Sequence, residues 1–249
     1  YSGNTEEVLD GYAKARKLKL NMTVIAAGGT LITLAKKHGV PYVEMPNTGI
    51  QPRSALGFSI MGLLKLMHLE KGFREARALA KCLDPKSLEK TGVALARQLQ
   101  GRIPVIYSSM HNRFVTYNWK IKLNETGKIP AFYNLLPEVN HNEMNGFDVA
   151  ETTKHLSEKF SFIFITDDAD HPRNKKRMTV LKKLYEDRGL PVILMPMKGK
   201  KKFEKIFTSL LVADWVAVSI ADMYGLESEQ VPMVEEFKRL IIKPNHLIT

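Results

Sequence analysis

Four short apolar runs carry almost no polar alternation: Met22 to Ala27, Ile103 to Tyr107, Phe160 to Ile165 and Pro191 to Met195. A strand with one wet face alternates polar and apolar residues, so these runs suit strands covered on both faces, as in a parallel sheet flanked by helices. Helical spacing fills the intervals. It runs from Thr5 to Leu18, Leu31 to Lys37, Asn112 to Asn124, Arg177 to Arg188, Ile206 to Tyr224 and Val234 to Ile242. Tyr42 to Met45 reads as one more short strand, and Arg53 to Gln100 is helical with breaks expected at Gly72 and at Asp84-Pro85. The alternation of strand and helix predicts an α/β fold. Two α/β units follow, residues 1–67 and 101–249, joined by connecting helices over 68–100. Gly3-Asn4 has the character of a loop that follows a strand, yet almost nothing precedes it, so the first unit reads as truncated at its N-terminus.

The chain has 249 residues, 44% hydrophobic and 25% charged, which is ordinary for a globular protein. No run free of polar residues reaches the ~18 needed to suggest a membrane span, and the apolar Ile206–Tyr224 helix reads as buried. The single cysteine, Cys82, cannot close an internal disulfide, and a reducing cytoplasm is the expected compartment. The net charge of +11 is concentrated at Lys14–Lys19 and Lys198–Lys202. Both segments read as solvated lysine-rich surface. No nucleic-acid-binding motif accompanies them, so neither nucleic acid nor membrane is expected as a partner.

Four segments could carry chemistry. Ser2 and Thr5 flank Gly3-Asn4 at the start of a helix, where free N–H groups and the helix dipole favour an anion such as phosphate. The same residues also describe plain helix capping, with Asn4 and Glu7 at capping-box spacing. Pro46 to Gly57 is a proline- and glycine-punctuated loop that presents Arg53, a planar, permanently charged fork; a surface arginine would look the same. Glu125 stands where a helix should end, just before Gly127. The negative end of a helix disfavours a carboxylate anion, which suits a general base, although an exposed glutamate fits that place too. His141 lies between Asn140 and Asn142 in a polar, turn-prone run, positioned either as a proton donor or as a simple turn residue. No second His or Cys stands at metal-ligand spacing, so no metal is expected.

Taken together these segments resemble the bifunctional phosphoglucose/phosphomannose isomerase family, which is built from sugar-isomerase (SIS) domains. The resemblance rests on Tyr1-Ser2-Gly3-Asn4-Thr5-Glu6-Glu7, Gln51-Pro52-Arg53, Asn124 to Phe132, and Leu136-Pro137-Glu138-Val139-Asn140-His141-Asn142-Glu143. Asp170-His171-Pro172-Arg173 and the Val231 to Lys238 segment extend it to nearly the whole chain.

The resemblance implies an aldose–ketose isomerase of glucose 6-phosphate and fructose 6-phosphate that works through a cis-enediol, with mannose 6-phosphate as a further substrate. Glu125 would move the proton between C2 and C1, and His141 would open the sugar ring with help from Lys238. Arg53 would stabilise the enediolate, and Ser2 and Thr5 would hold the phosphate. A homodimer is implied, with His141 acting in the partner's site, and no cofactor. Ala26-Ala27 and Val231 depart from the hydroxyl residues that relatives carry there, and Arg239 and Lys243 stand close to Lys238 as other candidates. Two other readings have the same domain type. A non-catalytic phosphosugar sensor would need neither Glu125 nor His141, and a glucosamine 6-phosphate isomerase domain would need a glutaminase segment that this sequence does not show.

Overall fold

The computed structural model describes residues 1–242. Lys243 lies outside the described residues. The chain forms two compact units, Tyr1–Cys82 and Leu83 onward, which divide within the 68–100 stretch.

In the first unit, α1 (Glu6–Lys17) leads through β1 (Val24–Ala26) and α2 (Gly29–His38) to β2 (Tyr42–Glu44). The two strands pair in parallel, Val24 opposite Tyr42 and Ala26 opposite Glu44. Tyr12, Val24, Leu31 and Ile32 form the core beneath α1 and α2. Basic residues crowd the last turn of α1, where Lys14, Arg16 and Lys17 face the negative end of the helix. One of the two positive clusters in the sequence is thereby explained by local helix electrostatics. A 3₁₀ turn (Pro52–Ser54) then opens α3 (Leu56–Leu66) and α4 (Glu70–Cys82).

The helix break expected at Gly72 falls instead at Met67–Leu69, and Gly72 lies inside α4. His68 adopts φ 56°, and the Leu69 N–H donates back to the Leu64 carbonyl at 2.9 Å. This is the left-handed ending that glycine usually supplies, made here by a histidine.

The second unit holds a four-stranded parallel sheet in the order β4-β3-β5-β6. Its strands are β3 (Ile103–Ser109), β4 (Phe132–Leu136), β5 (Phe160–Thr166) and β6 (Val192–Pro196). The inner strands are buried on both faces, as their unalternated sequences require. Phe162 and Phe164 pack with Tyr107 against Met178, Leu181 and Tyr185 of α9 (Pro172–Glu186). Strand alternation turns Ile163 and Ile165 to the other face. There, α6 (Arg113–Glu125) lies on the sheet through the hydrogen bond of Thr116 Oγ1 to Ser108 Oγ. Behind α6 runs α10 (Lys202–Met223), packed in turn against α5 (Pro85–Leu99). Short helices α7 (Glu143–Gly146) and α8 (Lys154–Ser157) bridge β4 to β5, and α11 (Pro232–Ile242) closes the described chain.

The apolar composition and 22-residue length of α10 would suffice to cross a bilayer. Its packing marks it as a core helix instead. Val212, Ala213, Val216, Ala217, Ile220 and Ala221 are buried, and the indole N–H of Trp119 donates to Ser209 Oγ at 2.9 Å. Lys122, almost wholly buried on α6, pairs with Asp214 of α10. Helices α5 and α10 approach closely where Gly92 meets Trp215: a Cβ at Gly92 would lie 2.2 Å from the Trp215 Cβ.

The strand that sequence patterning does not reveal is β4. Pro130 and Pro137 bracket it, Asn134 interrupts it, and Phe132 and Tyr133 are exposed because it is an edge strand. Its apolar residues therefore never form the unbroken run that marks β3 and β5.

Candidate active site

In the first unit the segment Tyr1–Thr5 lies across the Gly28-Gly29 turn. The Ala27 N–H donates to the Tyr1 carbonyl at 2.7 Å and the Leu31 N–H to the Gly3 carbonyl at 2.9 Å. The contact is so close that a Cβ on Gly3 would stand 2.0 Å from the Gly28 carbonyl oxygen. Asn4 does not cap α1 as its spacing with Glu7 suggests. Its Oδ1 accepts the Thr30 N–H at 2.8 Å, in the first turn of α2, because the loop is held over that helix rather than over its own. Ser2 Oγ accepts the Asn4 N–H at 3.3 Å. Thr5 is the N-cap residue of α1 without a side-chain cap bond. Ser2 and Thr5 thus stand together where two helices begin, a setting that favours an anion.

Arg53 sits half-buried in the 3₁₀ turn that follows β2. Ala55 is buried behind it, and the Ser54 N–H donates to the Gln51 carbonyl at 2.9 Å, so the loop has a fixed backbone. Both this loop and the Gly28-Gly29 turn leave the carboxyl ends of their strands, the usual place for ligands on a parallel sheet.

In the second unit Glu125 is the last residue of α6 and is half-buried. The N–H of Gly127 donates to the Lys122 carbonyl at 3.0 Å, and a Cβ there would lie 2.8 Å from the Leu123 carbonyl oxygen. Lys128, at φ 57°, donates from Nζ to the Glu125 carbonyl at 2.7 Å and also to the carbonyl of Gln230. The turn that carries Glu125 is therefore tied to the residue just before Val231 and α11. Lys238 lies on α11, exposed, with Nζ 2.7 Å from Glu235 Oε1.

His141 follows the carboxyl end of β4, and its own N–H donates to the Glu138 carbonyl at 2.9 Å. Neighbouring side chains fasten this exposed histidine. Val139 is fully buried, and Asn142 Nδ2 donates to Glu138 Oε1 at 2.6 Å. Glu143 reaches inward and accepts from both the Tyr107 hydroxyl and Asn134 Nδ2. Burial drives Tyr107 well above the ordinary tyrosine range, and the neighbouring Tyr185 and Glu143 add to the shift. Burial likewise pushes Tyr185 up to about 12. Tyr107 therefore keeps its proton for the Glu143 carboxylate.

The structure does not bring Glu125 and His141 together within one chain. Glu125 lies at the amino end of β4 and His141 beyond its carboxyl end. Five strand residues separate them by roughly 13 Å along the strand axis alone.

A second polar cluster, which the sequence reading passed over, sits at the carboxyl ends of β3 and β5. Ser109 Oγ donates to Asp170 Oδ1, Asn112 Nδ2 lies 3.4 Å from the same oxygen, and Lys205 Nζ lies 2.6 Å from Asp167 Oδ1. The signal was present in Ser108-Ser109 and Thr166-Asp167-Asp168, both legible as strand ends. Their meeting in space depends on β3 and β5 being neighbours, which spacing does not reveal.

Burial alone would raise the Asp167 carboxyl, but Lys205 and the Ala169 N–H hold it below the usual carboxylate range. The hydrogen bond to Asp167 raises Lys205 in turn. Because folding lowers the Asp167 value, its stabilisation is fully present above the unfolded value of about 3.9 and is lost as pH falls through the folded value. Lys205 mirrors this: its share is present below about 10.4 and is lost as pH rises through its folded value. Urea unfolding of Asp167→Asn should therefore show a constant deficit from about pH 5 to 9 that closes below about pH 4. A deficit that persists undiminished into acid would contradict this assignment. Among the described residues no three His, Cys, Asp or Glu side chains come together as a metal site.

Residues 88–241 match the family model of the bacterial phospho-glucose isomerase C-terminal SIS domain. Among solved structures, tagatose-6-phosphate ketose/aldose isomerase from Escherichia coli aligns over 91% of this chain and 67% of its own, with a TM-score of 0.65 at 16% identity. Glucosamine-6-phosphate deaminase from Thermotoga maritima aligns over 93% of this chain and 70% of its own, with a TM-score of 0.64 at 14% identity. At these identities the likeness is one of fold. A sequence relative from Aquifex aeolicus, a bifunctional phosphoglucose/phosphomannose isomerase, is 33% identical over 98% of this chain and 74% of its own length. One of the same description from Thermoplasma volcanium is 30% identical over 97% and 75%. The chain belongs to the bifunctional phosphoglucose/phosphomannose isomerase family.

Proposed function

We propose that this chain is an aldose–ketose isomerase that interconverts glucose 6-phosphate, and its C2 epimer mannose 6-phosphate, with fructose 6-phosphate. Family membership supports the reaction class. The observation that carries the mechanism is a half-buried carboxylate, Glu125, fixed at the negative end of α6 by the turn that Gly127 and Lys128 make.

In this reading Glu125 removes the C2 proton of the open-chain sugar and returns it to C1 through a cis-enediol. Arg53 stabilises the negative oxygen of the intermediate, an electrostatic role that counts heavily in such chemistry. Ser2 and Thr5 hold the phosphate. His141 opens the ring by proton transfer at its oxygen, assisted by Lys238. The division of Glu125 and His141 between opposite ends of β4 favours a homodimer in which each copy lends its histidine to the other. The apolar face that α11 leaves exposed, with Met233, Phe237 and Leu240 more than half accessible, supports association of copies. The three-part organisation into residues 1–67, 68–100 and 101–249, and a cytoplasmic location, remain part of the same proposal.

A coupled assay of fructose 6-phosphate formation tests the reading. Glu125→Gln should keep phosphosugar binding while turnover falls by at least about a hundredfold. A fully active variant would remove Glu125 from the mechanism.

A further inference from the structure

The isomerase reading leaves unused a cavity of about 250 Å³ in the second unit. Asn140 and Met144 form one wall, and Arg173, Lys176, Arg177 and Val180 of α9 form the other, with Leu184 at its end. The three cations follow helical i, i+3 and i+4 spacing and so share one face.

Their placement is unfavourable for a helix standing alone. Like charges four residues apart repel, and cations near a helix start oppose its dipole. The first turn of α9 holds no acid to offset them, and among the described residues none of the three is in an ion pair. Other cations of the same helix are provided for: Lys182 pairs with Glu186, Lys183 with Asp187, and Lys175 Nζ donates to the Asp168 carbonyl at 3.0 Å. The unpaired three converge on the cavity. A local rule broken without compensation inside the protein points to a compensating partner outside it.

The remaining lining describes that partner. Met144, Val180 and Leu184 are aliphatic, and among the described residues no aromatic ring lines the cavity to stack a nucleobase. Two arginine forks suit phosphoryl oxygens, while a lysine is a point charge suited to a carboxylate. We propose that this cavity binds a small phosphorylated carboxylic acid, its phosphoryl group between Arg173 and Arg177, its carboxylate at Lys176 and its carbon chain on the aliphatic wall. Asn140 immediately precedes His141, so a ligand bridging Asn140 and α9 also bears on the histidine loop. That consequence rests on the isomerase reading; the binding site does not.

Calorimetric titration of the intact protein with 3-phosphoglycerate tests the site directly, against inorganic phosphate and the double variant Arg173→Ser/Arg177→Ser. The expected result is saturable binding, weakened at least about tenfold in the double variant and by Lys176→Glu. Inorganic phosphate should bind at least about tenfold more weakly than 3-phosphoglycerate. The KM for fructose 6-phosphate in the double variant should stay within about twofold of wild type, which separates this site from the isomerase centre. Thermal unfolding temperatures of both variants should be no lower than wild type, because the substitutions relieve repulsion on an exposed helix face. No saturable binding, equal affinity in wild type and variants, or equal binding of inorganic phosphate would each overturn the proposal.

Discussion

Mixing Glu125→Gln with His141→Ala, two proteins each expected to be nearly inactive, should restore about a quarter of wild-type turnover. Glu125 ends the helix that feeds the amino end of β4, and His141 follows the carboxyl end of that strand. A general acid or base contributes a factor of about 10² to 10⁴, so either loss alone should abolish most activity. When the two variants are unfolded and reassociated together, about half of the dimers are hybrids. If each site takes Glu125 from one copy and His141 from the other, every hybrid holds one intact site and one doubly altered site. If both residues serve a site within one chain, no hybrid contains an intact site and the mixture stays inactive. The coupled fructose 6-phosphate assay reads the difference without structural work.

Gly3→Ala should have the second large effect, on the first unit and on substrate affinity together. Gly3 has φ 77°, and the added Cβ would meet a backbone oxygen, that of Gly28, at 2.0 Å. A flexible side chain can rotate away from such a contact; a peptide carbonyl in a tight turn cannot. Strain at φ > 0 and the clash together should cost about 2–4 kcal/mol of stability. Movement of the loop would also carry Ser2 and Thr5 off the helix starts, so KM for the phosphosugar should rise at least about tenfold. Gly11→Ala is the matching control. Gly11 lies inside α1 with open space at the Cβ position, and the change should stabilise by about 1 kcal/mol. Equal stability of the two variants would show that the Tyr1–Thr5 crossing is not built as described.

The strands buried on both faces were legible because their residues answer to the sheet alone. Phe160 to Ile165 has no wet side, and no other structure accommodates so short a run flanked by turns as readily. The Asp84-Pro85 helix start was legible for the same local reason, since Asp84 Oδ1 accepts the Lys86 N–H at 3.1 Å. What escaped was decided by residues far apart in the chain. Asn4 has the spacing of a cap for α1, yet the carbonyl geometry around Gly28 sends its oxygen to Thr30. Edge strand β4 needed its pairing with β3 to be visible, and the Ser109–Asp170 contact needed the adjacency of β3 and β5. Among candidate site residues, the family resemblance already implies that His141 acts in the partner's site; the direction of β4 adds that one chain sets Glu125 and His141 at opposite ends of that strand.

The pairing of α5 with α10 also sets a timetable for synthesis. Trp215 Nε1 donates to the Pro85 carbonyl and Tyr224 Oη accepts the Gly101 N–H, both at 2.7 Å, between residues 130 and 123 positions apart in the chain. At a ribosomal pace of about 5–20 residues per second, α5 waits many seconds with its apolar stripe uncovered before its mate emerges. Slowing translation between the two helices should therefore lower the soluble yield, and added chaperone should restore it.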